Sequence, residues 1–145
     1  MSERKPEILN VGGTLHEFVP IEVLEREHER LWLQVEFGER HLNRGGNVHG
    51  GYISALLDVA VAAGANAAPV RDPRAFGVTL SLNVSFLQPV PVGLVYCRTT
   101  VIGGGRRTKF VEAVIETPTS ACDEAGTRLA VGIGTVKITT LPEAS

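Results

Sequence analysis

One segment limits the folds open to this chain. Tyr52 to Ala68 is a long helical pattern, rich in alanine and leucine and closed by Pro69, Asp72 and Pro73. Beyond it the chain reads as strand. Gly77–Leu87 alternates over its whole length, and Gln88-Pro89-Val90-Pro91-Val92-Gly93 makes a turn whose prolines cannot donate to a ladder. Leu94–Ile102, Thr108–Thr117 and Arg128–Thr139 read as three more strands, separated by Gly103-Gly104-Gly105 and by the turn 118–126. Before the helix, Leu31, Leu33, Val35 and Phe37 alternate with Trp32, Gln34 and Glu36, which predicts a half-buried strand over 30–38. Connections this short predict that the four later strands form an antiparallel meander in hairpin sequence. One helix cannot cover both faces of such a sheet, so it is expected across a single concave face. The fold class is α+β, with five to six strands curved around one helix.

Composition bounds the rest. The chain has 145 residues, 43% hydrophobic and 21% charged, which suits one soluble domain spanning 1–145. Residues 1–13 are polar and end in Gly12-Gly13, reading as a loose arm. The stretch 14–29 carries mixed charge around Val23 and Leu24 and could be helix turn or strand rim. A formal net charge of −2 gives no footprint for nucleic acid. The N-terminus lacks an apolar core of the signal-peptide kind, and no run of residues matches a membrane span, so a cytoplasmic protein without membrane contact is expected. Cys97 and Cys122 read as reduced thiols, and no Cys/His spacing suggests a metal site.

Chemistry concentrates at the helix start. Asn43-Arg44-Gly45-Gly46-Asn47-Val48-His49-Gly50-Gly51 runs directly into the helical pattern, which contains a single acid, Asp58. Glycines there leave backbone N–H groups bare, at the end where the helix dipole is positive. At 100° per residue, Ile53, Leu56, Leu57, Ala60 and Gly64 share one stripe, the core face. Gly51, Ala55, Asp58, Ala62 and Ala65 share the opposite one. A solvent face would carry Lys, Glu and Arg, so this small, polar face suggests close approach by a ligand or a second chain. Gly51 and Asp58 lie about 10.5 Å apart along the axis, too far to act on one atom. If both serve one reaction, two antiparallel copies of the helix in a two-fold dimer would supply them. The plainer alternatives stay open. Asp58 can be an exposed helix residue, His49 a structural histidine, and Gly50-Gly51 a tight junction.

Asn43, His49-Gly50-Gly51 and Asp58 in this spacing resemble the hotdog-fold acyl-CoA thioesterases of the phenylacetate-pathway (PaaI-like) type. Gly77–Leu87 with Gln88-Pro89 after it, the Gly105-Arg106 turn and Gly134-Thr135 extend the match over residues 28–139. The resemblance implies a long helix wrapped by a curved antiparallel sheet, an edge-to-edge dimer often doubled into a tetramer, and two sites per dimer built from both chains. It also implies roles. Asp58 would be general base or nucleophile, and Asn43 would hold the attacking water or the thioester. The Gly51 N–H, beside Gly50, would polarise the carbonyl, with His49 steadying the loop. Thr79 would help position water, and Arg106, with Arg107, would meet coenzyme A phosphates. No cofactor is implied, because coenzyme A belongs to the substrate. Arg106, Arg107 and Lys109 are the one concentration of positive charge, although a solvated basic turn would look the same.

Other functions are weighed against these residues. No Gly-x-Ser-x-Gly elbow is present, and Cys97 has no evident histidine partner, so nucleophilic serine or cysteine chemistry is disfavoured. A hydratase or dehydratase of the same fold would pair His49 with an acid. A non-catalytic acyl-CoA binder would not need Asp58 and Asn43 together.

Overall fold

The computed structural model describes residues 7–9, 13, 15–119 and 125–142. In chain order the elements are β1 (Glu7–Ile8), α1 (Leu15–Phe18), β2 (Ile21–Glu27), β3 (Arg30–Phe37), a short 3-10 turn (Glu39–His41), α2 (Gly50–Gly64), β4 (Ala75–Phe86), β5 (Gly93–Gly104), β6 (Thr108–Glu116) and β7 (Arg128–Thr140). The strands form one antiparallel sheet in the order β1-β2-β3-β5-β6-β7-β4. This is the α+β arrangement of one long helix against a curved sheet, with seven strands where five to six were expected. The additional strands come from the ambiguous N-terminal stretch. Ile21 and Val23 face inward on β2 while Glu22, Glu25 and Glu27 stay partly or fully out, so the mixed charges belong to an alternating strand. Glu7 and Ile8, inside the segment read as an arm, pair with β2.

The core is where the two periodicities meet. Leu31, Leu33, Val35 and Phe37 of β3 point inward and are fully buried. They meet Ile53, Leu56, Leu57 and Ala60, from the helix stripe that 100° spacing selects, and Val61 beside it. Each such side chain contributes about 1.5–3 kcal/mol on leaving water. Small residues on the sheet let the helix lie close. A Cβ at Gly134 would stand 2.8 Å from Val61 Cγ2, and one at Gly77 would run into the carbonyl oxygen of Ala62. The helix stops at Gly64, four residues before the predicted end. Gly64 lies on Thr99, the Asn66 N–H turns back to the Ala63 carbonyl, and the Asn66 side-chain amide donates to the Ala75 carbonyl at 3.1 Å. The chain therefore leaves the helix axis, and Ala65, expected on the small polar face, is buried.

One expectation of topology fails. β5, β6 and β7 are a meander, but β4 pairs with β7 rather than with its sequence neighbour β5. The segment 87–92 is the reason. It is a crossover that anchors elsewhere: the Leu87 and Gln88 N–H groups both donate to the Leu129 carbonyl, and the Val90 carbonyl accepts from Val48 at 2.8 Å. β4 is thus a twelve-residue strand at one end of the sheet, hydrogen-bonded along one side only. Val78, Leu80 and Phe86 on it are exposed.

Cys97 is fully buried on β5, and burial first, then the nearby Glu116 charge, push its thiol up to about 12. Cys122 lies outside the described residues.

The close contact at Gly77 can be tested directly. Gly77→Ala should lower the unfolding free energy by about 1–3 kcal/mol in urea titration, because the obstacle is backbone and cannot rotate away. Gly51→Ala, where a Cβ meets nothing within 4 Å, should leave the stability of the isolated chain unchanged or slightly raised.

Candidate active site

The loop before α2 is built around Asn43. Its side-chain oxygen accepts from the Gly45 N–H at 2.9 Å and the Asn47 N–H at 3.2 Å, and its backbone N–H reaches the Asn47 carbonyl at 2.8 Å. This is an Asx turn, with Gly46 at φ 81° supplying the left-handed step. The Asn43 oxygen is therefore occupied within the loop. The amide nitrogen has no partner among the described residues and is what remains for a ligand.

His49 is the N-cap of α2, yet it holds the junction through its backbone. Its N–H donates to the His41 carbonyl at 2.8 Å, and its own carbonyl accepts from Tyr52 and Ile53. Its exposed ring makes no capping bond and stands edge-on to Tyr52, 6.4 Å between centroids. The N–H groups of Gly50 and Gly51 have no partner among the described residues, as the first turn of a helix requires. Gly51 faces open space, while Gly50 lies under the ring of Phe86, 3.4 Å from where its Cβ would be. The helix N-terminus thus offers two bare donors in front of an exposed aromatic ring, a geometry that accepts an oxygen carrying negative charge.

A histidine the motif reading did not single out anchors this loop. His41 is buried; its Nδ1 accepts from Gly38 N–H at 2.9 Å, so the ring proton sits on Nε2 and is donated to the Phe18 carbonyl. The ring also stands edge-on between Phe37 and Tyr52, at 5.3 and 4.8 Å. Its neighbours in sequence, Glu39 and Arg40, gave no hint of burial.

Asp58 lies on α2 two turns from Gly51, exposed, with no ion pair or hydrogen bond to its carboxylate among the described residues. It lines a cavity of about 1040 Å³ together with Ala62 of α2, Asn66 just beyond its end, and Phe76 and Thr79 of β4. Thr79 sits at a bulge in the β4–β7 ladder, and its hydroxyl is buried without a hydrogen-bond partner. Thr79 thus forms part of the wall of the cavity that Asp58 lines, with its hydroxyl buried and unmatched in that wall.

Within one chain, the structure gathers the expected residues in two groups. Asn43, His49, Gly50 and Gly51 share the N-terminal end of α2, while Asp58 and Thr79 share the cavity. Arg106 and Arg107 join neither: they are exposed in the β5–β6 turn, after Gly104 at φ 101°, and do not line the cavity. The arginines that do line it are Arg26, Arg71 and Arg74, from β2 and from the loop before β4. Among the described residues, no three His, Cys, Asp or Glu side chains gather as metal ligands. No helix there is long and apolar enough to cross a membrane.

Comparison with known proteins gives this arrangement its class. The fold is the hotdog fold, and residues 45–124, which carry the α2 N-terminus, Asp58 and Thr79, match the thioesterase superfamily. The chain belongs to that superfamily. A candidate esterase of Halobacterium salinarum is 28% identical over 124 residues, covering 83% of this chain and 82% of that protein. A second, from Saccharolobus solfataricus, is 31% identical over 109 residues, covering 75% and 66%. Among solved structures, a conserved protein of Pseudomonas aeruginosa superposes with a TM-score of 0.72 at 25% identity, covering 88% of this chain and 94% of the other. A Haemophilus influenzae thioesterase superposes with a TM-score of 0.71 at 22% identity, covering 92% and 87%. Membership of this superfamily supports a hydrolase of thioesters.

The unpartnered hydroxyl has a thermodynamic signature. Thr79→Val should raise the unfolding free energy by about 1 kcal/mol, since leaving a buried hydroxyl unpaired costs about that much. The urea midpoint at constant slope is the measurement, and a fall would show that the hydroxyl has a partner such as an ordered water.

Proposed function

We propose that this protein hydrolyses acyl-CoA thioesters to the free acid and coenzyme A, as an enzyme of the PaaI-like type, in the cytoplasm. The observation that carries the reading is the pairing of bare N–H donors at the start of α2 with an unpaired carboxylate on the same exposed face, seven residues on. Thioester hydrolysis needs both. Negative charge develops on the carbonyl oxygen as water adds, and a preorganised backbone donor is worth about 2.7–4 kcal/mol of barrier. A positioned base taking the water proton contributes about 10²–10⁴-fold. The Gly51 N–H is the donor and Asp58 the base or nucleophile. Thr79 and the Asn43 amide nitrogen hold the water or the thioester. His49 keeps the Gly50-Gly51 turn in place through its backbone.

The two groups come from two chains. About 10.5 Å of helix separates Gly51 from Asp58, so each site combines the donors of one protomer with the acid of its partner. The unpaired side of β4 supports this assembly. A twelve-residue edge bearing exposed Val78, Leu80 and Phe86 is the kind of surface that isolated proteins blunt with charge, proline or short strands. Pairing two β4 strands edge to edge removes it. Exposed Ile102, Phe110 and Ile133 on β5, β6 and β7 favour further association of dimers into a homotetramer. Arg106 and Arg107 would meet the coenzyme A phosphates from a neighbouring chain, since their own turn stands off the cavity.

Asp58→Asn keeps the size and removes the base. Hydrolysis of a panel of acyl-CoAs, measured by release of free thiol, should fall by at least about 10² with the oligomer intact in sedimentation. Near-full activity of the variant would move the base elsewhere, and a fully active monomer would remove the shared site.

A further inference from the structure

The cavity beside Asp58 lies where the two ends of the sheet come together. β1 and β2 stand at one end of the strand order and β4 at the other. Glu7 and Arg26 from the first end and Phe76 from the second nevertheless line the same space, with Ala62 of α2. Glu7 bridges the gap. Its carboxylate takes Arg26 Nε at 3.1 and 3.2 Å and Arg26 Nη2 at 2.7 Å, and it stands 3.8 Å from Nη2 of Arg71 in the loop that leads into β4.

The electrostatics of this bridge are unequal. The Arg26 side chain is only 10% exposed, so its charge needs a counter-ion close by. Glu7, on a two-residue strand, supplies it, and the Arg26 guanidinium holds the Glu7 carboxyl below its usual range. Nη1 of Arg26 has no partner among the described residues. With Glu7 in place, one carboxylate sits between the two arginines and takes the Nε–Nη2 edge of Arg26. Without that charge, they would form a ready receptor for any other carboxylate reaching the slot.

We propose that Glu7 determines acyl specificity: by occupying the Arg26–Arg71 site it admits acyl groups with uncharged, apolar tails and turns away those ending in a carboxylate. The inference rests on the thioesterase reading and adds the substrate class. An apolar tail meets Ala62 and Phe76 and ends beside the closed Glu7–Arg26 ion pair. A terminal carboxylate finds the Nε and Nη2 donors of Arg26 already taken and meets the like charge of Glu7 at close range, which is selection by a repulsive element.

The test compares two coenzyme A thioesters of equal chain length, hexanoyl and adipyl, on the full-length protein and on Glu7→Gln and Glu7→Met. The unchanged protein should favour the hexanoyl ester in kcat/KM by at least about tenfold, and either variant should narrow that ratio by about tenfold or more, through KM for the adipyl ester. An unchanged circular dichroism spectrum and a cooperative urea transition show that a variant is folded, and Glu7→Asp should restore the original preference. An unchanged ratio in both variants overturns the role of Glu7 while leaving thioester hydrolysis standing. If the unchanged protein hydrolyses no acyl-CoA of any chain length, the thioesterase reading fails and this inference fails with it.

Discussion

The approach of α2 to the sheet is the contact on which the rest depends. Gly77 on β4 and Gly134 on β7 remove the side chains that would hold helix and sheet apart, and Gly64 does the same from the helix side against Thr99. With those gaps closed, Ile53, Leu56, Leu57 and Val61 fill the concave face, and the helix has one orientation in which its apolar stripe is covered. That orientation turns the opposite stripe outward. Gly51 and Asp58 are exposed for the same reason that Leu57 is buried: they stand on the other side of a helix fixed at close range. The exposure of this stripe is therefore a by-product of packing, fixed by close contacts at Gly64, Gly77 and Gly134 that leave the helix little freedom to shift.

The electrostatic character of the two ends of α2 differs accordingly. At the start, orphan N–H groups and the dipole present partial positive charge without any charged side chain. Further along, the Asp58 carboxyl has no cation bonded to it among the described residues. A carboxylate used as a base gains from this, because a bound guanidinium would make it a weaker proton acceptor. The arginines nearby are engaged elsewhere: Arg26 with Glu7, and Arg74 with Asp72.

How much of this was legible depends on the range of the interaction. The strands over 30–38, 94–102, 108–117 and 128–139 and the helix stripe obey local periodicity, and the structure returns them with ends shifted by a residue or two. The isolation of Asp58 in an uncharged helix is also local and was readable. The pairing of β4 with β7 was not, because alternation specifies a strand and its faces but not its neighbour; the decisive bonds are those of Val48, Leu87 and Gln88 across the crossover. The end of α2 was overrun because Ala65, Ala67 and Ala68 have good helix propensity, while Thr99, far away in sequence, decides where the helix can continue. Burial of His41 and of the Thr79 hydroxyl, and the meeting of Glu7, Arg26 and Arg71, depend on elements that converge only after the sheet has curved.

The strand order also sets the sequence of events during synthesis. β4 is made before β5, β6 and β7, yet its one partner among the described strands is β7, which follows both of the others in the chain. Until Arg128–Thr140 has emerged, β4 has neither edge paired, and the helix face that rests on Gly132 and Gly134 is uncovered. The nascent chain thus carries a twelve-residue strand unpaired on both sides and leaves Leu57 and Val61 of the helix without their sheet contacts, the state in which association with the wrong partner is easiest. Emergence of β7 is consequently the step that covers β4 and closes the sheet over the helix.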